Sequence, residues 1–118
     1  MAQMKKILII ECDPNLLRVM HIDLTRNGHD VKVAHDGIEG MELLNEESCF
    51  DLVITEIRMN GADGNQVAKY IKENEKMYKC PIIALAHYRE DAENELFDSV
   101  LTKPFTMKDL RKAINSLL

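Results

Sequence analysis

Short apolar runs and helical stripes take turns along this chain, and that alternation restricts the fold more than any other feature. Met4 to Ile10 reads as a first strand, Val31 and Val33 mark a second, and Asp51 to Thr55 a third. Pro81 to Ala86 is a fourth, and Val100 to Thr102 a brief fifth. The third and fourth are continuous, β-branched and apolar, the composition of strands buried on both faces. Pro81 stands at the first residue of its strand, where a missing donor is tolerated.

Between the strands the period changes. Asp13-Pro14 is a helix start, with Asp as cap and Pro at the first helical position. Leu17, Met20 and Leu24 then give one apolar face, and Asn27-Gly28 stops the helix. Ile38, Met41 and Leu44 recur three apart and predict a second helix ending near Asn45. Val67, Tyr70 and Ile71 mark a third, capped by Asp63. Thr106 and Asp109 form a capping box before a last helix with Leu110, Ala113, Ile114 and Leu117 on one stripe. Tyr88 to Asp98 is charged and has room for only a short helix. Five β-then-α units in one unbroken domain, residues 1–118, predict a doubly wound α/β fold with a parallel sheet and helices on both faces.

Composition narrows the function. Apolar residues at 46% and charged residues at 30% suit a globular domain and exclude disorder. A net charge of −5 with no dense basic cluster argues against nucleic acid or an anionic membrane as a direct partner. Lys5-Lys6 precedes an apolar run too short for a signal peptide, and no run approaches a membrane span. Cys12, Cys49 and Cys80 are odd in number and lack a CxxC spacing, which reads as reduced thiols in a cytoplasmic protein. Cys49-Phe50 and Cys80 are expected to fill core or boundary space. The four histidines form no ligand or triad spacing, and His87 is expected at the surface.

The chemistry concentrates at one place. In an open parallel sheet, ligands bind in the crevice outside the carboxyl ends of the strands. Glu56 ends the third strand there, followed by the loop Ile57 to Gly64. Ile7-Leu8-Ile9-Ile10-Glu11-Cys12-Asp13-Pro14, the stretch ending in Glu56, and Leu101-Thr102-Lys103-Pro104-Phe105 together resemble the receiver domain of bacterial two-component response regulators. The resemblance spans essentially the whole chain. It implies a five-stranded, flavodoxin-like receiver fold and phosphoryl transfer from a histidine kinase to an aspartate at the end of strand three.

That position here is Glu56. The acid pair that holds Mg²⁺ in the family is Glu11 followed by Cys12, the hydroxyl ending strand four is Ala86, and the aromatic switch position on strand five is Val100. Asn60 stands where a proline is usual. Lys103, the pocket lysine, is retained. Ala86 and Lys103 stand closer in sequence than in most receivers, so the fourth helix is expected to be short or remodelled.

These substitutions carry physical consequences. A Glu carboxylate lies about 1.5 Å further from the backbone than an Asp carboxylate, and an error near 1 Å in attack geometry costs roughly 100-fold. Mg²⁺ takes hard oxygen donors, for which a thiol is a poor substitute. No metal is expected beyond weak Mg²⁺ at Glu11, Glu56 and the Arg58 backbone. Arg58 itself could neutralise Glu11 or Glu56, or face water. Glu56 could pair with Lys103 in imitation of the phosphorylated state, or stand as an inert solvated acid.

The leading expectation is a degenerate receiver, or pseudo-receiver: a non-enzymatic signalling module working through a histidine kinase, an output domain or another receiver. The alternative is a receiver phosphorylated by an unusual route, at Glu56 or Asp63. A flavodoxin-like cofactor binder is remote, because Glu11-Cys12-Asp13-Pro14 puts acids where a phosphate loop needs glycine and free amides.

Overall fold

The first strand, β1 (Lys6–Ile10), sorts its side chains by parity. Ile7 and Ile9 enter one apolar cluster, while Leu8 and Ile10 enter another on the opposite face. All four are fully buried, as expected of a central strand covered on both sides. The computed structural model describes residues 4–118, so the start of the expected 1–118 domain lies outside the described residues.

The order of elements is β1, α1 (Pro14–Arg26), β2 (Asp30–Ala34), α2 (Gly37–Glu46), β3 (Leu52–Glu56), α3 (Gly64–Lys72), β4 (Ile82–Ala86), β5 (Ser99–Thr102) and α4 (Met107–Leu117). The five strands form one parallel sheet in the order β2-β1-β3-β4-β5. The chain first steps outward from β1 to β2, then crosses back over β1 to β3. That reversal places a topological switch point at the carboxyl ends of β1 and β3. Helices α1 and α4 cover one face through Leu17, Met20, Leu24, Leu110 and Ile114. Helices α2 and α3 cover the other through Leu44, Val67, Ala68 and Ile71.

Local capping sets the helix starts. Asp13, Asp36, Asp63 and Thr106 each accept a backbone N–H in the first turn, and the last two complete capping boxes with Gln66 and Asp109. At the end of α1, Asn27 is the C-cap and Gly28 adopts φ +90°, a conformation that favours glycine.

The structure revises four expectations. Met4 lies outside β1 and is exposed, since strand pairing starts only at Lys6. Ile38 is not on the buried face of α2: it is 50% exposed, and Gly37, Gly40 and Leu44 are buried instead. The helix packs too closely for side chains there, because a Cβ on Gly40 would lie 2.4 Å from Ile10 Cδ1. Cys49 is exposed rather than filling core or boundary space; its sulfur accepts from Lys6 Nζ at 3.3 Å, and only its neighbour Phe50 turns inward.

The fourth of the five expected β-then-α units also lacks its helix: the crossover from β4 to β5 holds no α-helix, whereas β5 is followed by α4. The crossover is built from two short 3₁₀ turns, Arg89–Asp91 and Asn94–Leu96. The remodelling anticipated there therefore takes a specific form. With so few residues between β4 and β5, the chain covers the sheet edge with Ala92 and Phe97 instead of a full helix.

Candidate functional site

Parallel strands bring their carboxyl ends to one edge, and three of the expected site residues ride there directly. Glu56 is the last residue of β3 and Ala86 the last of β4, while Glu11 immediately follows β1. Ile10 pairs with Thr55, so Glu11, just past β1, and Glu56, at the end of β3, stand side by side on neighbouring strands. Lys103 follows β5, and its backbone N–H donates to the Ala86 carbonyl at 2.8 Å, which fixes where its side chain starts.

The geometry of Glu56 is fully specified. Its Oε1 accepts from the Cys12 backbone N–H at 3.1 Å and from the Cys12 thiol at 2.7 Å. Its Oε2 accepts from Lys103 Nζ at 2.5 Å. Glu11 stands on the other side of the same ammonium, with Oε1 2.9 Å from Lys103 Nζ, and its Oε2 accepts from the Asp13 N–H at 3.1 Å. Both carboxylates are buried, Glu11 completely and Glu56 to 4% exposure. One ammonium is thus clamped between two buried acids.

The electrostatics separate the two acids. Burial pushes Glu11 up to about 7, helped by the adjoining Glu56 carboxylate and opposed by Lys103 and the Asp13 N–H. Burial pushes Glu56 upward too, and is the largest single influence on it. The Cys12 thiol, Lys103, Glu11 and the Cys12 amide together outweigh it and bring Glu56 down to about 2. Lys103 is held above its ordinary value, because Glu56 and Glu11 overcome its own desolvation. Burial and then the Glu56 charge push the Cys12 thiol up to about 11. Cys12 therefore keeps its proton at neutral pH and donates it to Glu56.

The other expected positions lie close by without joining this network. Ala86 is 2% exposed and offers only a methyl group, packed with Ile57, Ala84 and Ala92; Val100 packs half-buried against the same cluster. Arg58 neutralises neither Glu11 nor Glu56. It reaches across the loop to Asp91, with Nε 2.9 Å from Oδ2, and its guanidinium lies 5.6 Å from the Tyr88 ring centre. Asp63 is occupied as the cap of α3, Asp51 binds the Lys6 N–H at the opposite end of the sheet, and His87 is exposed.

Two features had no signal in the sequence. Cys12 acts as a donor to Glu56 across 44 positions. Asn65 clamps the remodelled crossover, donating to the Asp91 carbonyl at 2.8 Å and accepting from the Glu93 N–H at 2.9 Å. A cleft of about 690 Å³ lies beside the acids, lined by Cys12, His35, Asp36, Arg58, Asp63 and Asp91 among others. Of the acid network, Cys12 alone borders that cleft.

The sheet order, the acids at the carboxyl edge and the inward lysine agree with a match to the response regulator receiver domain over residues 7–115. This chain belongs to that family. Its role is accordingly that of a receiver domain in two-component signalling. Among solved structures it is similar to the response regulator TrrA of Thermotoga maritima, solved in complex with Mg(2+)-BeF, at 30% identity and a TM-score of 0.86 over 98% of this chain and 100% of that one. The chemotaxis response regulator CheY4 of Vibrio cholerae shares the fold at 21% identity and a TM-score of 0.90, over 98% and 100% of the two chains. So does the signal receiver domain of a Syntrophus aciditrophicus signal transduction histidine kinase, at 24% and 0.86, over 97% and 89%.

Glu11, Cys12 and Glu56 each offer one ligand atom, all within 4.8 Å of one another. No helix among the described residues is long and apolar enough to cross a membrane.

Proposed function

We propose that this chain is a pseudo-receiver: a single domain, residues 1–118, that does not take up phosphate and signals through a surface offered to protein partners. The observation that carries this reading is the saturation of Glu56. Both of its oxygens are engaged, one by Cys12 and one by Lys103. A carboxylate held near 2 and hydrogen-bonded on both oxygens is a weak nucleophile.

The rest of the pocket points the same way. Mg²⁺ wants near-octahedral oxygen donors and serves phosphoryl transfer by neutralising charge. Here a protonated thiol stands among the donors and an ammonium already lies between the two carboxylates, so the set does not fit Mg²⁺. Ala86 supplies no donor for a phosphoryl oxygen, and losing one such donor costs about 10²–10³-fold. The Lys103–Glu56 pair holds in place, without phosphate, the lysine that would otherwise meet a phosphoryl group.

The domain is then a cytoplasmic, non-enzymatic module that needs no Mg²⁺. Its partners are a histidine kinase, an output domain or another receiver, and it contacts neither nucleic acid nor membrane directly. The test is to incubate the protein with a small-molecule phosphodonor and Mg²⁺ and to record its intact mass. The expected spectrum is unchanged; stoichiometric addition of one phosphoryl group would end this reading.

A further inference from the structure

Asn-Gly occurs twice in this chain, at Asn27-Gly28 and at Asn60-Gly61. The dipeptide is prone to rearrange on its own, because glycine has no side chain to shield its amide nitrogen from the asparagine before it. All four residues are exposed, so access to water does not separate the two places. Hydrogen bonding does.

Asn27 closes α1, and both groups that would have to react are tied. Its Nδ2 donates to the Asp23 carbonyl at 2.7 Å, and the Gly28 N–H donates to the Thr25 carbonyl at 3.0 Å. Asn60-Gly61 instead sits mid-way along the loop Ile57 to Gly64. The Gly64 N–H, donating to the Ile57 carbonyl at 2.8 Å, pins the ends of that loop. Between those ends, neither the Asn60 side chain nor the Gly61 N–H has a hydrogen-bond partner among the described residues. Gly61 adopts φ +77°, and a Cβ there would lie 2.9 Å from Ile38 Cγ1, so the turn holds a glycine after Asn60.

We propose that Asn60 is a site of self-modification, at which the Gly61 amide converts it to aspartate and isoaspartate while the folded chain spares Asn27. The Gly61 nitrogen bonds to Asn60 Cγ, the Cγ–Nδ2 bond breaks, and Nδ2 leaves as ammonia with the proton that the Gly61 amide gives up. Water then opens the resulting succinimide. Cleavage between the nitrogen and Cγ leaves aspartate; cleavage between the nitrogen and the backbone carbonyl leaves isoaspartate. Asn60 lines the 690 Å³ cleft together with Asp36, Asp63 and Asp91, and Arg58 is the only lysine or arginine among the lining residues. Either product adds a carboxylate to that wall, two residues from Arg58. Isoaspartate also lengthens the backbone of a loop whose ends are fixed. This goes beyond the pseudo-receiver reading and does not depend on whether Glu56 takes phosphate.

The test ages the full chain at neutral pH and physiological temperature, folded and in urea, and follows both Asn-Gly peptides by mass. Isoaspartate is counted with an isoaspartyl methyltransferase and labelled S-adenosylmethionine. In the folded chain the Asn60 peptide should gain the mass of an amide turned acid and split into two isomers. Asn27 should react more slowly by roughly 5- to 150-fold, the factor for first opening two hydrogen bonds. In urea the two peptides should react at similar rates. Asn60→Gln, an exposed change, should remove most of the methyl labelling from the folded chain, because closing the larger ring is slow. Equal rates at the two sites in the folded chain, a folded Asn60 peptide that keeps its mass, or undiminished labelling of Asn60→Gln would each overturn the proposal. So would the same preference for Asn60 in urea, since the fold would then have no part in the choice.

Discussion

Lys103 Nζ and Glu56 Oε2 meet at 2.5 Å although the residues are 47 positions apart and β4 lies between the strands that carry them. The contact is nearly dry, with side-chain exposures of 12% and 6%. Removing the cation alone would strand two buried carboxylates, and breaking a buried pair by deleting one partner costs about 3–5 kcal/mol. Lys103→Met should therefore lower the urea midpoint markedly. Adding Glu56→Gln to it should recover part of the loss, because the stranded charge is gone. Equal midpoints for Lys103→Met and the unaltered chain would show that the pair contributes nothing.

The two acids should give stability a maximum on the acidic side of neutrality. Glu56 is depressed from 4.5 to about 2, so its contribution is present above pH 4.5 and is lost as pH falls toward 2. Glu11 is raised from 4.5 to about 7, so its contribution is present below 4.5 and is lost as pH rises through 7. Lys103, held above its ordinary value, stays charged throughout this window. Urea unfolding from pH 2 to 8 should show stability rising to about pH 4.5 and then declining toward neutrality. In Glu11→Gln the decline on the neutral side should disappear.

Restoring an aspartate at the family's acceptor position should not restore phosphorylation. Glu56→Asp shortens the side chain by about 1.5 Å and draws it away from Lys103 and the Cys12 thiol. It still leaves a sulfur where a hard ligand is needed and a methyl group at Ala86. Intact mass after phosphodonor treatment should remain unchanged in Glu56→Asp. Phosphate should appear only when Cys12→Asp and Ala86→Thr are combined with it. Full phosphorylation of the single variant would show that the other two positions are dispensable.

How far these features could be read from the chain depends on their range. Caps are local chemistry, and Asp13, Asp63 and Thr106 announce their helices within three residues. The sheet follows from five apolar runs, and the acid site from where those runs end. On α2 apolar spacing selects Ile38, whereas the buried positions are Gly40, which lies against Ile10, and Gly37, which lies against the Ala62 backbone. Two helical positions can have equal periodicity, and backbone proximity decides between them. The Cys12 donor, the Arg58–Asp91 pair and the Asn65 clamp span 44, 33 and 26 to 28 positions. Nothing local encodes partners at such distances.

The Asn65 clamp yields the last expectation, because it takes over work that a helix would do for itself. A crossover of two 3₁₀ turns satisfies few of its own backbone groups, and Asn65 supplies an acceptor to Glu93 and a donor to Asp91. Arg58 adds a second fastening by pairing with the Asp91 carboxylate, at 63% exposure. That exposed pair should matter little, since such pairs typically contribute about 0–1 kcal/mol. Asn65→Ala removes two hydrogen bonds at about 0.5–1.5 kcal/mol each, or about 1–3 kcal/mol together. The loss should be local: amide hydrogen exchange should accelerate across residues 88–98 while β1 and β3 keep their protection. Arg58→Ala should change the same amides far less. Equal acceleration in the two variants, or faster exchange in β1, would mean that the crossover is held by its apolar contacts through Ala92 and Phe97 and not by Asn65.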